Sequence, residues 1–301
     1  MENGTEYVRK AGGTMIQDIL PRKLYNTFVR KEPSPDSRIL SFREGGALYR
    51  EQDGELTFLT FRQVKEYYKK KEQELPKAVF LFSVDTQDYF LMDLGEAVME
   101  GYRYHKMFET RRLSPKENVL AAATGWHLYV WYRDNQYCGR CAHKMVHDET
   151  LRMMKCPDCG NMVFPKIAPA VIVGVTDGDR ILMTKYADRE YKKYALIAGF
   201  TEIGETAEQT VEREVMEEVG LSVENIRYYK SQPWGYDSNL LLGYFCDLAQ
   251  KREIHLDETE LSLAEWVDYR DIPDDPEGLS LTREMMITFR EQKKREHSQR
   301  S

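Results

Sequence analysis

The sequence predicts an α/β protein. A mixed α/β sandwich is expected over residues 166–295, preceded by a small cysteine-bound module at 136–165 and an α+β domain at 1–135. Three observations lead there. The chain has 301 residues, enough for about two domains and a sizeable core without staples. Two Cys-x2-Cys pairs sit near its middle. In the last third, strand-like and helix-like segments segregate rather than alternate, which suits a mixed sheet better than a regular parallel one.

Composition excludes several function classes. Hydrophobic residues make up 42% and charged residues 31%, as in a folded soluble chain and unlike a disordered one. No apolar run approaches the ~18 residues of a membrane helix. The opening Met1-Glu2-Asn3-Gly4-Thr5 is polar, so no secretory leader is expected and the cytoplasm is the expected compartment. A net charge of −7 argues against a dedicated duplex-DNA binder but leaves room for a phosphate-bearing small substrate.

In the N-terminal region, 56–61 and 78–84 read as strands, and 62–74 and 114–125 as helices. The second helix has Ser114-Pro115 at its start, and Gly125 is read as its stop. No motif here points to chemistry. Trp126, Tyr129, Trp131 and Tyr132 are expected in the core.

Cys138, Cys141, Cys156 and Cys159 form two knuckles separated by fourteen residues. Each knuckle aims two thiolates at one ion, and the intervening segment folds back as a hairpin. Four sulfurs close a tetrahedron around Zn2+ and leave no place for water, so the site is structural. Cys246, alone in an apolar stretch, is expected to be a buried small hydrophobe.

The third region opens with strands at 170–175 and 181–183 around the turn Asp177-Gly178. A helix from Thr206 to Val219 ends at Gly220. Strands follow at 226–229, 239–246 and 264–267, then a last helix at 280–292. The charged tail Lys293–His297 is expected to fray.

The helix at 206–219 carries the sharpest feature. Glu214, Glu217 and Glu218 stand at i, i+3 and i+4, so three carboxylates share one face and repel. Hard divalent cations, Mg2+ or Mn2+, relieve that crowding. Ala207, Val211, Val215 and Val219 form a separate stripe suited to a sheet. Arg213 can bind Glu205 or a neighbouring Glu through a bidentate fork. Alone, such a face is more often simply solvated.

The wider pattern decides. Gly199-x5-Glu205-x7-Arg213-Glu214-Val215-x-Glu217-Glu218-x-Gly220-Leu221 resembles the Nudix box at every fixed position. The resemblance implies a Nudix α/β/α sandwich and hydrolysis of a nucleoside diphosphate linked to another moiety. It implies that Glu214 and Glu218 hold metal, that Glu217 is a ligand or the base, and that the Ala198 carbonyl completes the shell. The ribbon before the box, and Ser231-Gln232-Pro233-Trp234 ten residues after it, resemble the NADH pyrophosphatase (NAD diphosphatase) branch. That branch continues Pro-Phe-Pro-x-Ser, whereas this chain reads Gly235-Tyr236-Asp237-Ser238-Asn239.

The expected reaction is hydrolysis of NADH or NAD+ to nicotinamide mononucleotide and AMP. Rival substrates are another dinucleotide, a nucleotide sugar or NAD-capped RNA. Gln232, Trp234 and Tyr236 suit a flat heteroaromatic ligand by hydrogen bonding and stacking. Pro233, Ser238 and Asn239 complete that segment. A core role for Trp234 is the alternative. Phe164, where the family has tyrosine, is read either as a second aromatic face or as core. Glu260 matches a further metal ligand of the family, and the Leu281 backbone a substrate contact. The family's acidic contact between the knuckles falls on Leu151, with Glu149 misaligned, and is not carried over. A homodimer is expected by resemblance.

Overall fold

The computed structural model describes residues 15–97, 99–187, 193–274 and 279–299. The N-terminal residues Met1–Thr5, on which the compartment expectation rests, lie outside them. The chain divides into two compact units. One holds Ile19–Ile167 with Trp234–Ser238; the other holds Ala168–Pro233 and Asn239–Ser301 with the described part of Met1–Asp18.

In the first unit, strands Leu24–Tyr25, Val79–Val84, Gln87–Leu91, Arg38–Leu40 and Leu59–Thr60 form one sheet. Phe42–Arg43, Gly46–Gln52, Glu55–Thr57 and Arg103–Lys106 form another. The expected strand at 56–61 is thus split. Thr60, still paired with Arg38 at the end of its strand, accepts from the Gln63 amide on its side chain, and the Gln63 side chain caps it in return, so a helix, α1, starts at Phe61 (Phe61–Lys70). α1 stops before the expected 74, with Glu72 in the left-handed region at φ 53°.

α2 runs Lys116–Asp134, straight through Gly125. The expected stop is corrected: a Cβ on Gly125 would lie 2.4 Å from Leu40 Cδ1 and 3.1 Å from Phe42 Cζ. The glycine is there for close helix–sheet approach, not for termination. Trp126 and Trp131 are buried as expected; Tyr129 and Tyr132 are half-buried.

The ribbon pairs Val146–His147, Met154–Lys155 and Met162–Val163 antiparallel. Its small core joins Cys138, Cys156, Met145 and Met154 to Trp131 of α2.

The second unit is built on a mixed sheet in the order Val223–Trp234, Asn239–Leu248, Ala168–Asp177, Arg180–Tyr186, Leu261–Asp268. Ile197–Phe200 adds to Ala168–Asp177. Ala168–Asp177 is parallel to Asn239–Leu248 and antiparallel to Arg180–Tyr186. Alternation along the strands sorts two faces. Val171, Val173, Val175, Leu242, Tyr244 and Cys246 pack with Val211, Val215 and Val219 of helix α3 (Ala207–Val219). Gly243, between Leu242 and Tyr244, instead meets Leu281 and Met285 of helix α4 (Leu281–Ser298). A helix on each face of one mixed sheet is the α/β/α sandwich. Burial holds the Cys246 thiol up at about 12, so it serves as packing.

The charged tail does not fray. α4 continues to Ser298, His297 Nε2 lies 2.9 Å from Asp179 Oδ2, and its ring stacks on Tyr269 at 5.3 Å. A partner in the turn after Ala168–Asp177 holds the last turn, a long-range contact that local composition does not reveal. Among the described residues, no helix is long and apolar enough to cross a membrane.

Candidate active site

α3 begins with a capping box, Thr206 with Gln209, and ends at Gly220 with φ 68°. Its valine stripe faces the sheet, and this fixes the rotation that turns Glu214 and Glu218 partly inward. They are 8% and 3% exposed, whereas the Glu217 side chain is 58% exposed.

Arg213 organises the acidic groups. Its Nε and Nη2 donate to the two Glu205 oxygens at 2.6 and 3.0 Å, the expected fork. Nη1 donates to Glu214 Oε1 at 2.8 Å and Glu217 Oε2 at 2.9 Å, and Nη2 also reaches the Phe200 carbonyl at 2.9 Å. Glu205 further accepts from Thr210 Oγ1 and the Glu202 amide, both at 3.1 Å. The Arg213 fork holds the Glu205 carboxyl down at about 2. Burial pushes Glu214 above the usual carboxylate range; the charges of Glu217 and Glu260 add to this, and Arg213 opposes it.

Gly199 lies directly against Glu214. A Cβ there would sit 1.9 Å from Glu214 Cδ and Oε1. Ala198, its neighbour, pairs with Ile172 in the sheet. Glu260 is in a loop docked on the C-terminal end of α3: the Asp257 amide donates to the Glu218 carbonyl at 3.0 Å, and the Glu260 amide to the Asp257 carbonyl at 3.2 Å. The structure thus gathers Ala198, Glu205, Arg213, Glu214, Glu217, Glu218 and Glu260 around one end of the sheet. Five carboxylates around one guanidinium, two of them buried, are oxygen donors of the kind a hard divalent cation takes.

The segment after Gln232 is arranged differently from the reading of its side chains as open substrate contacts. Gln232 is fully buried; its Nε2 donates to the Leu279 carbonyl at 2.6 Å and its Oε1 accepts from the Leu281 amide at 2.7 Å. Both ends of the amide, and the Leu281 N–H, are committed within the protein. Trp234 and Tyr236 are also buried. The Trp234 indole donates to Asp237 at 2.9 Å, with Arg111 4.9 Å from its ring. The Tyr236 hydroxyl bonds Thr110 at 2.9 Å, and its carbonyl accepts from Trp126 at 3.2 Å. A ligand stacking on either ring would have to displace these contacts. Pro233 is exposed, Ser238 half-buried and Asn239 buried.

Gly235 explains the departure from the family's prolines: a Cβ there would meet the Ala123 carbonyl oxygen of α2 at 2.2 Å. Phe164 is 54% exposed, which favours the open-face reading over the core one. Sequence reasoning missed Phe200, an equally exposed ring whose carbonyl Arg213 holds. Its only signal was its position inside the box, at a place where any residue is allowed.

In the ribbon, Cys138 and Cys159 sulfurs are 3.6 Å apart and Cys141 and Cys156 3.5 Å, and all four lie within 4.8 Å of one another. A disulfide needs ~2.05 Å. Tetrahedral bonds of ~2.3 Å to one Zn2+ place sulfurs ~3.8 Å apart, so the set fits zinc. The Arg140 and Cys159 amides point at Cys138 and Cys156 at 3.4 and 3.5 Å and pull both thiols below their ordinary value.

An acidic box of this pattern on such a sandwich defines a hydrolase of the Nudix class. The NUDIX domain family model matches residues 166–288, and that of the NADH pyrophosphatase zinc ribbon domain matches residues 133–164. The NAD-capped RNA hydrolase NudC of Erwinia tasmaniensis is 38% identical over 183 residues, covering 60% of this chain and 70% of the relative. That of Escherichia coli is 37% identical, covering 60% and 71%. A NUDIX hydrolase of known structure from Nitrosomonas europaea is 22% identical with a TM-score of 0.46, over 52% of this chain and 91% of that one. The chain belongs to the Nudix hydrolases, in the branch that carries the NADH pyrophosphatase zinc ribbon.

Proposed function

We propose that the protein hydrolyses the pyrophosphate bond of NADH or NAD+, releasing nicotinamide mononucleotide and AMP. The carrying observation is the Arg213 network, which holds Glu205, Glu214 and Glu217 above Gly199. Glu214 and Glu218 would be the principal ligands for Mg2+ or Mn2+, with Glu260 and the Ala198 carbonyl as further donors. Such cations, when bound, would neutralise the diphosphate and lower the pKa of water. Glu217, with a 58% exposed side chain, would act as ligand or take a proton from water. Arg213 and Glu205 are positioning residues: they fix where the carboxylates stand. Phe200, whose carbonyl Arg213 holds, offers an exposed ring for a flat base. Gln232, Trp234 and Tyr236 contribute by shaping their segment from within. The protein works in the cytoplasm as a homodimer.

A second reading, removal of NAD caps from RNA, cleaves the same bond and is favoured by the NudC relatives, which are NAD-capped RNA hydrolases. Comparing kcat/KM for NADH, NAD+, ADP-ribose, diadenosine diphosphate and an NAD-capped oligoribonucleotide tests both. NADH and NAD+ ranking above ADP-ribose and the diadenosine compound is expected. Capped RNA ranking first moves the assignment to cap removal, and the NAD substrates ranking last overturns it.

A further inference from the structure

We propose that the N-terminal unit contains a second nucleotide site, a cavity that takes a flat base bearing a phosphate monoester. The cavity has a volume of about 540 Å³, within the ~300–1,000 Å³ typical of small-ligand pockets. Its walls come from Phe42–Glu44, the segment around Lys77 and Val79, residues Leu91–Gly95, and the C-terminal half of α2.

Two kinds of side chain meet there. The half-buried Tyr129 and Tyr132 supply aromatic surface beside the buried Phe42, and Arg43, Lys77 and Arg133 supply positive charge. Rings alone would suit an apolar ligand, and cations alone any anion. Rings and cations together suit a ligand with a π face at one end and a phosphate at the other.

The rings are held in place. Phe42 and Tyr129 lie with centroids 5.4 Å apart, Trp126 sits 5.4 Å from Tyr129, and the Tyr132 hydroxyl is fixed 2.9 Å from His147 Nε2. The cations are not locked into buried pairs. Arg43 meets the 88% exposed Glu96 at 3.6 Å and the Tyr104 ring at 5.9 Å, and Arg133 meets the exposed Asp134 at 2.7 Å and the Tyr129 ring at 5.8 Å. Exposed pairs of this kind are worth little, so a phosphate can displace them. Gln136, Glu44 and Asp93 also line the cavity and offer an amide and two carboxylates to ribose hydroxyls and exocyclic amines. The same carboxylates disfavour a ligand that is only anionic. None of these residues belongs to the acidic box, so the site stands whether or not the proposed dinucleotide reaction is correct.

Photolabelling locates the site directly. The full chain is irradiated with 8-azidoadenosine 5′-monophosphate, and labelled peptides are mapped by mass spectrometry. Label is expected on the α2 peptide that carries Tyr129 and Tyr132. AMP should compete for it, and adenosine should not. Lys77→Gln/Arg133→Gln, a change at two exposed residues, should reduce that label at least fivefold without changing NADH turnover or Tm. A 5′-phosphorylated tetraribonucleotide provides the second arm: competition at tenfold lower concentration than AMP assigns the site to a strand end, and weaker competition assigns it to a free nucleotide. Label confined to residues 168–301, or α2 label unaffected by the double substitution or competed equally by adenosine, overturns the proposal.

Discussion

Gly199→Ala tests the geometry of the acidic face with one methyl group. The added Cβ would lie 1.9 Å from Glu214 Cδ and Oε1 and 2.2 Å from Oε2. Non-bonded carbons settle at ~3.5–4.0 Å, so the carboxyl must retreat by about 1.5 Å. That motion pulls Glu214 off the Arg213 Nη1 donor, which now stands at 2.8 Å. Misplacing a reacting group by about 1 Å costs on the order of 100-fold in rate. Overpacking costs ~1–3 kcal/mol of stability. The reduced freedom of the unfolded chain returns ~0.4–1 kcal/mol, so Tm falls by only a few degrees. The assay is kcat on NADH with Mn2+, with Tm measured in parallel. Gly174→Ala is the control: its Cβ meets the Phe245 ring at 2.8 Å, far in sequence from the carboxylates. It should lower Tm similarly and leave kcat within about twofold. A Gly199→Ala enzyme within threefold of wild type would refute the placement of Glu214 at the centre of the reaction.

Four further outcomes are expected. Arg213→Lys keeps the charge but cannot keep the fork to Glu205 together with the contacts to Glu214, Glu217 and the Phe200 carbonyl, so kcat should fall at least tenfold with little change in KM. Glu205 ionises in the folded protein at about 2 against its ordinary 4.5, so its contribution to stability is full above 4.5 and lost as pH falls toward 2; Glu205→Gln should flatten the Tm–pH curve over that window. Cys156→Ser should reduce zinc from one ion per chain to none by elemental analysis, and the small core around Trp131 should melt at lower temperature. Gly235→Ala forces a Cβ within 2.2 Å of the Ala123 carbonyl, so Tm should drop by several degrees at a cost of ~1–3 kcal/mol.

Much of the fold was legible because its signals are local. The valine stripe at 211, 215 and 219 fixed the buried face of α3, and four cysteines at knuckle spacing marked the ribbon. The acidic box named its own fork, Arg213 to Glu205. What failed to read was non-local. Gly125 looks like a helix stop until Leu40 and Phe42 are seen against it. The tail at 293–297 looks frayed until Asp179 and Tyr269 meet it from the far end of the sheet. Gln232, Trp234 and Tyr236 have the chemistry of ligand contacts, and only burial and partners show that their polar atoms are already engaged. Side-chain type gives what a residue can do, whereas the neighbours decide whether it is free to do it.

The central claim is that this acidic face cleaves a dinucleotide at its pyrophosphate. Phosphorus NMR of NADH hydrolysis in 18O-enriched water, run beside Glu218→Gln, tests it most directly. The account predicts AMP and reduced nicotinamide mononucleotide, 18O on only one of the two product phosphates, and product formation at least 100-fold slower in the variant. Unchanged NADH, or turnover that survives Glu218→Gln intact, would contradict it.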